Sequence, residues 1–309
     1  NTEAQRTQTA IEILEQVDGP IHGFCSGVAR AVKTADLVLS SPHRPVFCLH
    51  EIVHNRQIAD ALSRRGMIFV KTVDEVPSGG KLLFSAHGVS PAVRLAAAER
   101  DIECIDATCP FVNRVHETVR RSAAQKHNVI CIGHRDHDEV VGICGEADGV
   151  VVVESEEEAA ALNPSLGKTT VVSQTTMEAG KVAAICNLLK KKIPELETSE
   201  AAGVCYATKD RQEAVRKLAD EVQNIIVLGS TNSSNTLRLA ETARNAGARA
   251  HLVSSVEELN PVMETIDTAL GITSGASTPE EFLSSIVRLL VHKFGYTLVE
   301  NEACAKERQ

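Results

Sequence analysis

Three cysteines fall where a loop gives way to a helix-like stretch: Cys25 in GFCSGVARAV, Cys109 in DATCPFVNRVHETV and Cys205 in GVCYATKDRQEAVRKLA. A thiolate at a helix N-terminus is favoured by the dipole and by unpaired backbone N–H groups, which lowers its pKa and suits it to bind metal. Three such thiolates can hold a metal centre. Iron-sulfur clusters usually take four cysteines, so a set of three leaves one iron open to a substrate oxygen, where it acts as Lewis acid and redox site together. Zinc on the same three thiolates plus a histidine is the competing metal reading. The other six cysteines, Cys48, Cys104, Cys131, Cys144, Cys186 and Cys304, lie mostly in or beside apolar runs and read as packing residues. Nine cysteines are an odd number and none forms a CxxC pair, so reduced thiols in a reducing compartment are expected rather than a disulfide framework.

The elements that must position these residues follow from short β-branched runs alternating with helix-like stretches. Strands are expected at 46–49, 67–70, 81–84, 128–132, 150–153, 170–172, 224–228, 250–253 and 268–272, the signature of parallel α/β units. In parallel sheets the loops after the strands carry ligands. Several polar motifs stand there: SAHG at 85–88, GH at 133–134, SQTT at 173–176, GSTNSSN at 229–235 and SGAS at 274–277. The cysteines are about 84 and 96 residues apart, which suits one per domain of about 100 residues, with boundaries near 108 and 204. The expected domains are 1–108, 109–204 and 205–309.

Composition narrows the function. The formal charge of -9 and the absence of Trp, with two Tyr, argue against a nucleic-acid or anionic-membrane surface, which needs clustered cations or stacking aromatics. No apolar run approaches the roughly 20 residues that span a bilayer, and 1–16 lacks the plan of a secretory signal, so a cytoplasmic protein is expected, with a plastid open if a transit peptide has been removed. An anionic substrate must therefore be captured by local groups.

Quoted in order, GFCSGVARAV, HEIVHNRQIADAL, FSAHGVSPAVR, DATCPFVNRVH, IGHRDHDEVVG, VSQTT, CYATKDRQEAVR, GSTNSSNTLRLAE and SGAS resemble the LytB family of 4-hydroxy-3-methylbut-2-enyl diphosphate reductases, from about Gly23 to Ser277. The resemblance implies three similar α/β domains with mostly parallel sheets in a pseudo-threefold trefoil, around a central 4Fe-4S cluster on Cys25, Cys109 and Cys205. It implies that the open iron takes the substrate hydroxyl, and that two electrons and two protons remove it as water. The products would be isopentenyl and dimethylallyl diphosphates, the last step of the non-mevalonate (MEP) isoprenoid pathway, with ferredoxin or flavodoxin as electron donor. By the same resemblance His50, His87, His137, Thr175, Ser233, Ser234, Asn235 and Ser277 bind the substrate, most of them at its diphosphate, and Glu139 with Thr175 and His137 delivers protons. Neutral Ser and Asn donors and a titratable His can saturate phosphate oxygens without lysines. A buried carboxyl can hold a proton at neutral pH. Taken singly, NSSN reads as a helix cap, SAHG as a tight turn and Glu139 as a surface residue in an acidic turn.

The chain departs from the family pattern at His22, Ser26, Asp138, Asp210 and Ser274. Asp138 stands where a proline is usual, adding a negative charge near a diphosphate site, and so bears on substrate affinity. Two rival readings are a hydro-lyase or synthase, such as quinolinate synthase, that binds carboxylates, and a zinc-stabilised protein that holds a phosphometabolite without reaction.

Overall fold

A computed structural model of the chain describes residues 10–13, 23–41, 45–162, 167–199 and 203–300. Its elements, in chain order, are β1 (Ala10–Ile13), α1 (Ser26–Ser40), β2 (Val46–Leu49), α2 (Arg56–Arg64), β3 (Met67–Val70), β4 (Lys81–Phe84), α3 (Pro91–Glu99) and β5 (Glu103–Asp106). They continue as α4 (Pro110–Ala124), β6 (Asn128–Ile132), α5 (Asp138–Cys144), β7 (Val151–Val153), α6 (Glu156–Ala161), β8 (Thr169–Ser173), α7 (Ala179–Lys192) and β9 (Leu196–Thr198). The remainder is α8 (Tyr206–Glu221), β10 (Asn224–Leu228), α9 (Ser234–Asn245), β11 (Arg249–Val253), α10 (Leu259–Met263), β12 (Leu270–Ser274), α11 (Glu280–His292) and β13 (Thr297–Glu300). The alternation is that of an α/β protein, and every strand pair is parallel.

Two compact units divide the chain. One comprises Ser26–Val53 and Gln57–Cys205, the other Asn1–Cys25, His54–Arg56 and Tyr206–Gln309. The former holds two four-stranded sheets, ordered β3-β2-β4-β5 and β7-β6-β8-β9; the latter holds one sheet, β11-β10-β12-β1-β13.

The central strands β2, β4, β6, β8, β10 and β12 are buried along nearly their whole length because helices cover both faces of a parallel sheet. Along β10, Ile226 and Leu228 enter a core with Phe282, Leu283, Ile286 and Leu290 of α11. Ile225 and Val227 face the other way, against Val215 and Leu218 of α8 and Leu239 and Ala243 of α9. The same period of two splits β6, with Ile130 and Ile132 on one face and Val129 and Cys131 on the other. Each large side chain so buried contributes about 1.5–3 kcal/mol.

The nine expected strands are all present, with ends moved by one or two residues in β7, β8, β11 and β12. Their limits are set by ladder partners, as where Leu270 pairs with Asn224 and Ser274 with Leu228. Four strands were not expected from the sequence: β1, β5, β9 and β13. Each is short and carries a glutamate, and β5 is mostly exposed. Such strands exist through hydrogen bonds to an already formed neighbour, β4 for β5 and β8 for β9, rather than through an apolar pattern of their own. β1 pairs with β12 and β13, at the other end of the chain.

Candidate functional site

Each of the three helix-opening cysteines is the residue directly before a helix: Cys25 before α1, Cys109 before α4 and Cys205 before α8. Cys109 is the N-cap of α4, and Pro110, whose missing N–H costs nothing there, follows as its first helical residue. The backbone around the three repeats. β1, β5 and β9, which precede them, lie parallel to β12, β4 and β8. Each cysteine N–H then donates to a carbonyl two residues beyond the end of that partner strand: Cys25 to Ala276 O at 3.1 Å, Cys109 to Ala86 O at 3.0 Å and Cys205 to Thr175 O at 3.0 Å. Those acceptors lie in the SGAS, SAHG and SQTT loops. Each expected ligand is thus tied to a loop that carries an expected substrate-binding residue.

All three cysteines are half-buried. Cys48 and Cys131 are fully buried in strands, and burial pushes their thiols well above the usual range; it raises Cys144 and Cys186 as well. Those groups stay protonated and suit packing. Cys104 departs from the packing expectation: it lies exposed on the edge strand β5. The expectations at Cys304 and His22 lie outside the described residues. As donors, the three partly accessible thiols at helix N-termini fit an iron-sulfur cluster with three cysteine ligands.

Glu139, in the first turn of α5, is 1% exposed, which overturns its reading as a surface residue. Thr175 N–H donates to Glu139 Oε1 at 2.7 Å and Thr175 Oγ1 donates to Oε2 at 2.9 Å. Burial pushes the carboxyl up to about 7, against the lowering effect of both Thr175 bonds. A group so poised can hold or release a proton near neutral pH. Thr175 also accepts from Cys205 N–H, so one residue joins the carboxyl to a cysteine.

His137 caps α5, its Nδ1 accepting from Glu139 N–H at 3.2 Å. Its ring lies edge-on to that of His87, with centroids 5.8 Å apart. His87 is set by the SAHG turn, with Ser85 Oγ 3.3 Å from its Nδ1 and Gly88 in the left-handed region at φ +79°. His50 also takes a positive φ, 58°, at the end of β2, and its Nδ1 is 3.7 Å from Asp138 Oδ1. The unusual aspartate therefore faces an expected substrate-binding histidine.

In the other unit, Ser233 is the N-cap of α9 and its Oγ accepts from Thr236 N–H at 3.3 Å. The cap reading of NSSN is therefore correct as local structure. Asn235, one residue inside the helix, is 4% exposed and neither its Oδ1 nor its Nδ2 has a partner. A buried amide left unpaired is costly, and here it stands at a helix N-terminus, which favours anions. Ser277 Oγ donates to His54 O at 3.1 Å, and Ser277 bridges to Phe24 beside Cys25. Arg211, buried on α8, donates to Ser274 O at 2.8 Å and to Gly23 O at 3.5 Å. Arg30 on α1 donates to Thr108 O at 2.8 Å, next to Cys109. The sequence reading assigned neither arginine a role, although an arginine in the second turn of each cysteine-opened helix was a signal open to it.

Comparison with known proteins gives a consistent picture. Residues 20–291 match the family described as LytB protein. Curated proteins named 4-hydroxy-3-methylbut-2-enyl diphosphate reductase from Mycobacterium sp. (strain KMS) and, as reductase 2, from Mycobacterium tuberculosis (strain ATCC 25618 / H37Rv) are each 41% identical, over 92% of this chain and 86% of theirs. The solved structure of the E-1-hydroxy-2-methyl-but-2-enyl-4-diphosphate reductase from Plasmodium falciparum aligns with TM-score 0.88 and 35% identity, covering 95% of this chain and 91% of that one. A second solved structure, titled (E)-4-hydroxy-3-methyl-but-2-enyl diphosphate reductase, the terminal enzyme of the non-mevalonate pathway, aligns with TM-score 0.63 and 31% identity, over 90% and 98%. Among the described residues no helix is long and apolar enough to cross a membrane.

Proposed function

This chain belongs to the LytB family, and from that premise we propose that it is the oxidoreductase that removes the allylic hydroxyl of 4-hydroxy-3-methylbut-2-enyl diphosphate as water. Two electrons and two protons are consumed, the C–O bond breaks, and isopentenyl and dimethylallyl diphosphates are formed. The observation that carries the proposal is the buried Glu139–Thr175 pair, whose Thr175 is also bonded to Cys205. A proton donor with a carboxyl pushed up to about 7 is there joined to a residue suited to hold a redox centre.

Cys25, Cys109 and Cys205 would hold a 4Fe-4S cluster that supplies, when bound, the electrons and a Lewis-acidic iron lacking a cysteine ligand. His50, His87 and His137 then offer ring nitrogens to the diphosphate. Ser233, Ser234, Asn235 and Ser277 offer hydroxyl, amide and helix N-terminal N–H donors to the same group. The unpartnered Asn235 amide gains partners when phosphate oxygens arrive. Glu139, kept protonated by burial, passes its proton toward the leaving hydroxyl, with Thr175 Oγ1 and His137 beside it. A low-potential one-electron protein, ferredoxin or flavodoxin, delivers the electrons, and the compartment is the cytoplasm. The organisation that goes with this reading is three α/β domains near 1–108, 109–204 and 205–309, one sheet to each, with β1 joining the last sheet.

The decisive experiment is anaerobic oxidation of reduced methyl viologen by the iron-loaded protein when the hydroxylated diphosphate is added. Substrate-dependent oxidation is the expected result. A brown, iron-loaded protein that oxidises no viologen on substrate addition would refute the reductase reading and favour a hydro-lyase.

A further inference from the structure

His116 belongs to α4, the helix that Cys109 opens, and it is 3% exposed. Its Nδ1 is 2.6 Å from Glu146 Oε1, and the other oxygen of that carboxylate accepts from Arg120 at 2.9 Å. Burial works to raise the Glu146 carboxyl, but the His116 and Arg120 bonds outweigh it and hold it below the usual range, so it is ionised at neutral pH. An ionised carboxylate only accepts, so His116 Nδ1 carries the proton between them. Nothing in the proposed reaction uses these three residues. Arg120 reaches from the surface to a buried His116–Glu146 pair, and the resulting network is strongly specified in geometry and costly to leave half made.

The imidazole packs where two glycines make room for it. A Cβ on Gly88 would stand 3.0 Å from His116 Nε2, and one on Gly142 would stand 3.2 Å from His116 Cε1. Gly88 follows His87 directly in the SAHG turn. Gly142 lies one turn along α5 from Glu139, in the helix that His137 caps. One ring thus touches both the turn that presents His87 and the helix that presents His137 and Glu139. Glu146, just beyond the end of α5, closes the network.

We propose that His116, fixed by Glu146 and Arg120, is a positioning residue that sets the spacing of His87 and His137 and so the grip on the substrate diphosphate. The proposal rests on the assignment of those histidines to the diphosphate. Interior packing is too dense to let the ring shift without moving one glycine-bearing segment. Loss of the network therefore lets the SAHG turn and α5 drift apart without removing any group that contacts the diphosphate. The consequence is weaker diphosphate binding with little change in the chemical step at saturation.

The test is calorimetric titration of inorganic diphosphate into anaerobically purified holoenzyme, wild type against Glu146→Gln, His116→Gln and Arg120→Gln, with iron content and kcat measured alongside. Misplacement of this kind predicts about tenfold weaker binding for the first two and about threefold for Arg120→Gln, with kcat within about twofold and iron unchanged. Should His116→Gln be recovered unfolded, Arg120→Gln decides alone, because its side chain is 51% exposed and reaches Glu146 from the surface. Wild-type affinity in folded, iron-loaded variants overturns the positioning role. Weak binding that comes with loss of iron also overturns it, in favour of a general structural role. Failure of the wild type itself to bind diphosphate overturns the site assignment on which the proposal stands.

Discussion

Replacing Thr175 by valine should move the proton-donating limb of the reaction to higher pH. Thr175 makes two bonds to Glu139, from its N–H at 2.7 Å and from its hydroxyl at 2.9 Å, and the substitution removes only the second. Both bonds favour the ionised carboxylate, against the burial that pushes the group up to about 7. A hydrogen bond to a charged group is worth about 1.5–3 kcal/mol net, and one pKa unit about 1.4 kcal/mol, so its loss raises the carboxyl by about one to two units. Glu139 donates in its protonated form, so the rate falls as pH rises through its pKa. The valine variant therefore keeps its activity to higher pH, with the midpoint of the falling limb near 8 to 9 rather than about 7. The assay is the initial rate of substrate-dependent viologen oxidation, anaerobically, from about pH 5.5 to about pH 9.5. Valine keeps the backbone carbonyl that accepts from Cys205, so the iron content should stay at the wild-type level and serves as the control. A limb that stays in place, or moves to lower pH, refutes the assignment of Glu139 as proton donor held by Thr175.

Four further outcomes are expected. Because burial raises the folded Glu139 carboxyl from 4.5 to about 7, the folded state binds the extra proton between those values and loses stability as pH rises through them. Glu139→Gln should escape this loss, gaining about 3 kcal/mol on wild type between about pH 4 and about pH 8 in denaturant unfolding; a pH-independent difference would contradict the burial argument. Cys25→Ser, Cys109→Ser and Cys205→Ser should each lose iron and acid-labile sulfide, whereas Cys48→Ala should keep both and cost about 1 kcal/mol of stability; equal iron in all four would dismiss the cysteine assignment. Asn235→Ala removes a buried amide without partners, so it should leave stability unchanged or raise it by about 1 kcal/mol while weakening inorganic diphosphate binding about tenfold, and unaltered binding would take Asn235 out of the site. Asp138→Pro removes a carboxylate 3.7 Å from His50 at a helix position that tolerates proline, and KM for the diphosphate substrate should fall about threefold; a rise would show that Asp138 assists binding.

Much of the fold was legible because its signals are local. The runs at 46–49, 67–70, 81–84, 128–132 and 224–228 became strands with those limits, since buried parallel strands are apolar on both faces and say so in their own residues. β5, β9 and β13 were missed because an edge strand is defined by its neighbour's hydrogen bonds, and β1, which lies inside its sheet between β12 and β13, because both its partners come from the other end of the chain. The cysteine-opened helices were visible in the same way, Cys109-Pro110 most plainly, because capping is settled within a few residues.

From the sequence alone came the α/β class, the position of each of the three cysteines before a helix and, through the run of motifs, the resemblance to a reductase family. What each group can do was decided by the tertiary structure. Glu139 and Thr175 are 36 residues apart, and only packing makes the carboxyl a buried acid rather than a surface charge in an acidic turn. The partnerless amide of Asn235, the exposure of Cys104 and the burial of His116 between two glycines are of the same kind. Helix starts and strand runs are properties of neighbouring residues, whereas burial, hydrogen-bond satisfaction and pKa are sums over whatever distant chain the fold brings near.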